Sequence, residues 1–197
     1  MKKNHLLILL ALLSFNLGHT QVFESGSNHL QIGYGFGLNN SKLLSSYQSN
    51  NSYKYSGFGP ILGSFEHGIN DNIGISGAIS YSSFGGSWIQ ESYLASYKYS
   101  YRWSTLSMMI RGAYHFNLNN DKFDPYTGIG IGFLKYSYKW TSTDPNFNES
   151  NNNVSLGTPF GYQIFAGARY LFTDKIGAYA EIGYGFSVLN LGLSLKM

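Results

Sequence analysis

Four charged side chains stand out in a chain that carries little charge: Glu66, Arg111, Arg169 and Glu181. Each lies within an alternation of large apolar and small or polar residues, at the parity held by Gly, Gln and Ser. Two carboxylates and two guanidinium groups on one shared face could pair with each other, line a gated ion path or take part in acid–base work. Histidines add a further possibility. His29, His67 and His115 fall near strand ends, and Glu66-His67 sets an acid beside a base. No Gly-x-Ser-x-Gly or His-x-x-x-His motif occurs, and no cluster has metal-ligand spacing. The sequence therefore assigns no catalytic residue, metal or cofactor.

The elements that must position these groups follow from one pattern. It reads Leu30-Gln-Ile-Gly-Tyr-Gly-Phe-Gly-Leu38, then Tyr126-Thr-Gly-Ile-Gly-Ile-Gly-Phe133, then Ala180-Glu-Ile-Gly-Tyr-Gly-Phe186. A period of two sends the apolar side chains to one face of a strand and the small or polar ones to the other. A glycine-lined face with a few charges suits a narrow or tightly packed lumen, which turns the apolar face towards lipid. The expectation is an all-β fold, an eight-stranded antiparallel up-and-down transmembrane β-barrel with short periplasmic turns and longer extracellular loops. Its segments are Asn28 to Leu38, Tyr55 to His67, Ile73 to Phe84, Tyr99 to Phe116, Tyr126 to Trp140, Thr158 to Phe172, Ile176 to Phe186 and Leu189 to Met197. Tight turns are expected at Asn70-Asp71-Asn72, Asn117 to Lys122 and Thr173-Asp174-Lys175, because Asn, Asp and Thr hydrogen-bond their own backbone. Gly85 to Ser96 and Thr141 to Gly157 are expected as connectors. Parity places Glu66, Arg111, Arg169 and Glu181 inside, and Ile182, Tyr184 and Phe186 outside. In the fifth segment the outward set Ile129, Ile131, Phe133 changes parity before Tyr136, which calls for a bulge near Leu134 or a strand that has left the bilayer.

Composition agrees with a membrane chain. Charged residues make up 12% and aromatics 17%, with 17 Tyr, whereas soluble domains carry about 25% charged residues. Residues 1–20 read as a signal peptide, with Lys2 and Lys3, an apolar run from Leu6 to Leu13, and small residues at Gly18 and Thr20. Residues 21–197 then form one barrel domain. Of 13 basic residues, removing Lys2 and Lys3 leaves 11 against 10 acidic ones, which argues against nucleic-acid binding. The absence of Cys excludes a disulfide framework and a lipid-modified N-terminus. A soluble lipocalin-type barrel fits the length but needs an apolar lumen and a polar exterior, the reverse of this parity. Tyr99, Tyr101, Trp103, Tyr136, Tyr138 and Trp140, together with Tyr93 and Tyr97, belong at the extracellular rim as an interfacial girdle. Loops around Tyr47, Tyr53 and Tyr55 could present a surface for a glycan or a partner protein.

At Asp124-Pro-Tyr-Thr-Gly-Ile-Gly-Ile-Gly-Phe133 the chain resembles the small OmpA/OmpX-type outer-membrane β-barrel family. Glu181-Ile-Gly-Tyr-Gly-Phe186 and the closing strand to Met197 look like that family's last hairpin. The resemblance implies integral residence in a bacterial outer membrane, with lipids and the barrel-assembly machinery as partners and a monomeric state. It departs at Met197, where members usually end on an aromatic residue, and there is no room for an appended peptidoglycan-binding domain. The function expected is a structural or surface-interaction role, with the lumen closed by the four charged side chains. A narrow porin-like channel is the alternative. A lipid-modifying enzyme built on His67 or His115 is the less favoured one, since such enzymes on similar barrels act mainly at the opposite leaflet.

Overall fold

Alternating large and small side chains favour extended backbone, and the extended segments here close on themselves. The computed structural model describes residues 21–37, 53–91, 95–118, 120–148, 154–156 and 160–197. The strands are β1 (Asn28–Phe36), β2 (Lys54–Gly68), β3 (Ile73–Glu91), β4 (Ser96–His115), β5 (Phe123–Ser142), β6 (Val154–Leu156), β7 (Phe160–Leu171), β8 (Ile176–Tyr184) and β9 (Leu189–Lys196). Eight of them form a ring in the order β1-β2-β3-β4-β5-β7-β8-β9, with β9 pairing back onto β1. All pairs are antiparallel, and β6 adds only to Tyr136–Tyr138 of β5. The molecule is a closed eight-stranded antiparallel barrel. Within the ring, closure leaves no sheet edge and satisfies the ladder hydrogen bonds internally, the condition for crossing hydrocarbon.

Polarity is inverted relative to a soluble barrel. Neighbouring Ile110 and Arg111 are 64% and 3% exposed, so the apolar side chain points out and the charge points in. Ile32, Ile129, Phe133, Ile164, Ile182 and Leu193 continue the outward apolar face around the ring. The lipocalin-type arrangement is thereby excluded. No helix among the described residues is long and apolar enough to cross a membrane; the strands do the crossing.

Three short turns use one device. Asn70 Oδ1 accepts from the Asn72 and Ile73 amides at 2.9 and 2.8 Å. Asn120 Oδ1 accepts from Lys122 and Phe123 at 2.9 and 3.1 Å, and Thr173 Oγ1 does the same for Lys175 and Ile176 at 3.4 and 3.0 Å. Each side chain takes up amide donors that the reversal strips from the ladder.

Several boundaries differ from the sequence expectation. The expected connector from Gly85 is strand: β3 runs on to Glu91 and pairs with β4 without a break down to Glu91↔Ser96. β4 and β5 likewise keep one register from His115↔Tyr126 to Tyr99↔Ser142, so no bulge lies near Leu134. The strands have instead outrun the barrel. β5 is 20 residues long, while a tilted strand needs about 9–11 residues to cross a bilayer. The bulge lies in β2 instead, between Phe58 and Ile61, where it moves outward parity from even to odd numbers. β1 ends at Phe36 and β8 at Tyr184. Gly185 follows with φ +133°, a backbone state L side chains rarely adopt, and the resulting bend carries Phe186 into the lumen, where it is 8% exposed rather than outward-facing. The expected leader, Tyr47 and Tyr93 lie outside the described residues.

Candidate functional site: a filled lumen beneath a projecting sheet

Inward parity brings Glu66 from β2, His115 and Arg111 from β4, Asp124 and Tyr126 from β5, Arg169 from β7 and Glu181 from β8 into the half of the lumen nearest the short turns. Arg169 Nη2 donates to Glu66 Oε2 at 2.6 Å, and its Nη1 lies 3.5 Å from Asp124 Oδ2. His115 bridges the same two carboxylates, with Nδ1 2.8 Å from Asp124 Oδ1 and Nε2 3.3 Å from Glu66 Oε1. A second group stands beside the first. Arg111 Nη2 donates to Glu181 Oε1 at 2.7 Å, and the Tyr126 hydroxyl donates to the same oxygen at 3.0 Å. The Arg111 guanidinium also lies over the Phe165 ring at 3.8 Å, which gives its flat face a partner while its edge holds the carboxylate. Arg169 is fully buried. Charges so enclosed persist only when paired, because desolvation of each ion costs several kcal/mol.

The network is sealed on both sides. On the short-turn side, residues ahead of β1 tuck Val22 and Phe23 into the barrel mouth, 1% and 4% exposed. The Phe23 ring stacks flat on His115 with centroids 3.5 Å apart. Lys196 Nζ holds this segment through the Gln21 carbonyl at 2.5 Å and Glu24 Oε1 at 3.1 Å. On the other side Leu62, Ala78, Met109, Tyr179 and Phe186 form an apolar layer. Tyr179 needs glycine opposite it: a methyl built on Gly33 would overlap its hydroxyl. Above this layer opens a cavity of about 340 Å³, walled by the hydroxyl-bearing Ser80, Ser82, Thr105 and Ser107 and by the rings of Trp103 and Tyr136.

Beyond the cavity β3, β4 and β5 project as a sheet whose two faces differ. Tyr99, Tyr101, Trp103, Tyr136, Tyr138 and Trp140 all lie on the face continuous with the lumen. They do not form the lipid-facing girdle expected from their types. With Trp88 they make one aromatic wall: Trp88–Trp140 at 5.6 Å, Trp103–Tyr138 at 5.7 Å, Trp103–Tyr136 at 5.9 Å and Tyr101–Trp140 at 6.0 Å. Most of these pairs are tilted or edge-on, the favoured geometry for aromatic rings. The Tyr53 and Tyr101 hydroxyls meet at 2.6 Å, and Tyr99 donates to Asp144 Oδ2 at 3.1 Å.

Parity puts His115 inside along with Glu66, Arg111, Arg169 and Glu181, and the structure buries it in the lumen. What the sequence does not reveal is Asp124 and the pairing of His115 with Asp124 and Glu66. Parity counted back from Gly128 through Tyr126 would have put Asp124 inside. Glu66 and His67 do not act together, since His67 points outward and its Nδ1 meets Asn28 Oδ1 at 2.9 Å. His115 has both ring nitrogens on carboxylates, and among the described residues no serine hydroxyl bonds to it. Among the described residues no group of three or more His, Asp or Glu could hold a metal ion.

Comparison with known proteins places this architecture. The family model for the outer membrane protein beta-barrel domain matches residues 7–195. No curated protein matches the chain. Similar solved structures include the N-terminal β-barrel domain of OprF from Pseudomonas aeruginosa, with 15% identity, 88% of this chain and 99% of that chain covered, and a TM-score of 0.46. Ail, the attachment invasion locus protein of Yersinia pestis, has 13% identity, the same coverage and a TM-score of 0.46. Outer membrane protein W of E. coli has 13% identity, 88% and 99% coverage and a TM-score of 0.45. With the family model spanning nearly its whole length and apolar side chains turned outward around a closed barrel, the chain belongs to the outer membrane protein β-barrel domain family and is an integral protein of the outer membrane.

Proposed function

We propose that this barrel is a closed, non-enzymatic surface-interaction protein that presents the projecting β3–β4–β5 sheet outside the cell. The observation that carries the reading is the lumen filling: two guanidinium groups, three carboxylates and His115 knit five strands together, with Phe23 below and an apolar layer above. An eight-stranded barrel has room for side chains and little else. The ordered wall of Trp and Tyr above the cavity supports a recognition role, because rigid rings offer large contact area at low entropic cost. Outer-membrane lipids, the barrel-assembly machinery and an extracellular ligand are the partners this reading requires.

Planar-bilayer recording of the purified protein tests it. Wild type should leave the bilayer silent at ordinary voltages. Conductance steps that vanish in Arg111→Ala or Arg169→Ala would instead make the protein the narrow porin-like channel. The enzyme alternative predicts altered membrane lipids on changing His115 or His67. We expect lipid profiles to stay unchanged in His115→Ala and His67→Ala strains.

A further inference from the structure

The second face of the projecting sheet carries a different chemistry. Along β5 the outward residues run Ile129, Ile131, Phe133 and then Lys135, Ser137, Lys139, so the apolar belt gives way to cations on the same continuous surface. Register sets Ser87 opposite Ser100 and Ser100 opposite Thr141, a row of small hydroxyls across three strands. Lys98 flanks the row on one side, and Arg102 and Lys139, directly opposite each other, flank it on the other. Together they line a groove of about 450 Å³ that no acidic side chain among the described residues lines. None of the three cations has a carboxylate partner among the described residues; Arg102 Nη1 donates instead to Ser83 Oγ at 3.1 Å.

Like charges directly opposite on neighbouring strands destabilise a sheet. An anion held between Arg102 and Lys139 removes that penalty, and the hydroxyl floor supplies neutral donors to its remaining oxygens. Height narrows the source. Six residues separate Phe133 from Lys139, roughly 20 Å of strand and on the order of 14 Å along the membrane normal at a tilt of about 45°. Phospholipid headgroups add only about 5–8 Å to each side of the hydrocarbon. Lys135 therefore stands level with simple headgroup phosphates, while Lys98, Arg102 and Lys139 stand where a headgroup must be several sugars thick to reach.

From this placement we propose that the groove of Ser87, Lys98, Ser100, Arg102, Lys139 and Thr141 binds a phosphate group on the saccharide headgroup of an outer-leaflet glycolipid, whose acyl chains lie against Ile131 and Met108 on the same face. The proposal rests on the extracellular orientation of the sheet and adds a fixed lipid contact to the role given above.

Retention of glycolipid tests it. Wild type, Arg102→Gln/Lys139→Gln and the distant control Lys122→Gln would be extracted from outer membranes in mild detergent, and phosphate-bearing glycolipid per protein measured by mass spectrometry. Wild type and Lys122→Gln should retain equal amounts and the double variant at least fivefold less. Retention by wild type should also fall steeply with salt. Equal retention in wild type and the double variant would overturn the proposal, as would equal retention after the glycolipid is enzymatically dephosphorylated. Full displacement by millimolar inorganic phosphate would also overturn it, because a free anion would then suffice. A heat-dependent gel shift checks that the variant barrel is folded. If it is not, Lys139→Arg, which keeps the charge, should retain glycolipid while the salt dependence of wild type carries the test. Reversed membrane orientation would show as labelling of the opposite end by an impermeant reagent, which separates failure of the orientation from failure of the site.

Discussion

Arg169→Met should destabilise the folded barrel by about 3–5 kcal/mol, the cost of removing one partner from a buried ion pair. The side chain is fully enclosed and its guanidinium faces Glu66 at 2.6 Å and Asp124 at 3.5 Å. Methionine fills much of the volume but leaves two carboxylates that share only His115. Most of the loss is therefore the penalty of uncompensated buried charge, and a second change should recover part of it. Arg169→Met combined with Glu66→Gln is expected to be more stable than Arg169→Met alone, the signature of coupled neighbours in a double-mutant cycle. Urea unfolding in detergent micelles, read by the loss of the compact band on unboiled gels, measures both. Equal stability of wild type and Arg169→Met would mean that the network does not hold the lumen.

Ile129→Arg should cost about 2–4 kcal/mol, while Ser137→Arg on the same face of the same strand should cost at most about 1 kcal/mol. Ile129 is 65% exposed on the outer surface, opposite Gly112 on β4 and Ile164 on β7, midway along the apolar belt. Ser137 lies beyond Phe133, the last residue of β5 paired to β7, where the outward face has turned cationic. In water both substitutions would be nearly neutral surface changes. The difference between them thus reports the lipid boundary, and folding yield into phospholipid vesicles reads it. Equal yields for the two variants would remove the membrane from the picture.

How far the sequence carried the fold depended on whether a local rule or a distant partner decided the outcome. Ile129-Gly-Ile-Gly-Phe133 announces a strand and its faces by itself, because period-two alternation has no helical counterpart. Asn70, Asn120 and Thr173 announce the turns for an equally local reason. The far half of β3 was illegible because Gly85, Gly86 and Ser87 have poor strand propensity on their own. They are extended because β4 pairs with each of them, and tertiary pairing overrides propensity. Phe186 was misplaced for a similar reason: nothing in Tyr184-Gly-Phe186 says that Gly185 will turn at positive φ and reverse the parity. In the candidate site Glu66, Arg111, Arg169 and Glu181 were legible as inward charges. Which carboxylate meets which guanidinium depends on strand stagger around the ring, a closure property no single segment contains. The aromatic wall was misread because Tyr and Trp serve a lipid interface and a binding wall equally well, and only the unbroken β4–β5 register tells them apart.

Single-cysteine labelling on intact cells tests the central claim, a barrel whose apolar belt lies in lipid and whose projecting sheet stands outside. The chain contains no cysteine, so each introduced thiol is the sole target. Ser96→Cys at the tip of the β3–β4 hairpin should react with a membrane-impermeant maleimide on whole cells. Asp71→Cys, in the turn between β2 and β3, should react only after the outer membrane is permeabilised, and Ile131→Cys on the belt should react in neither condition. Labelling of Ile131→Cys from water, or of Asp71→Cys but not Ser96→Cys on intact cells, would contradict the account.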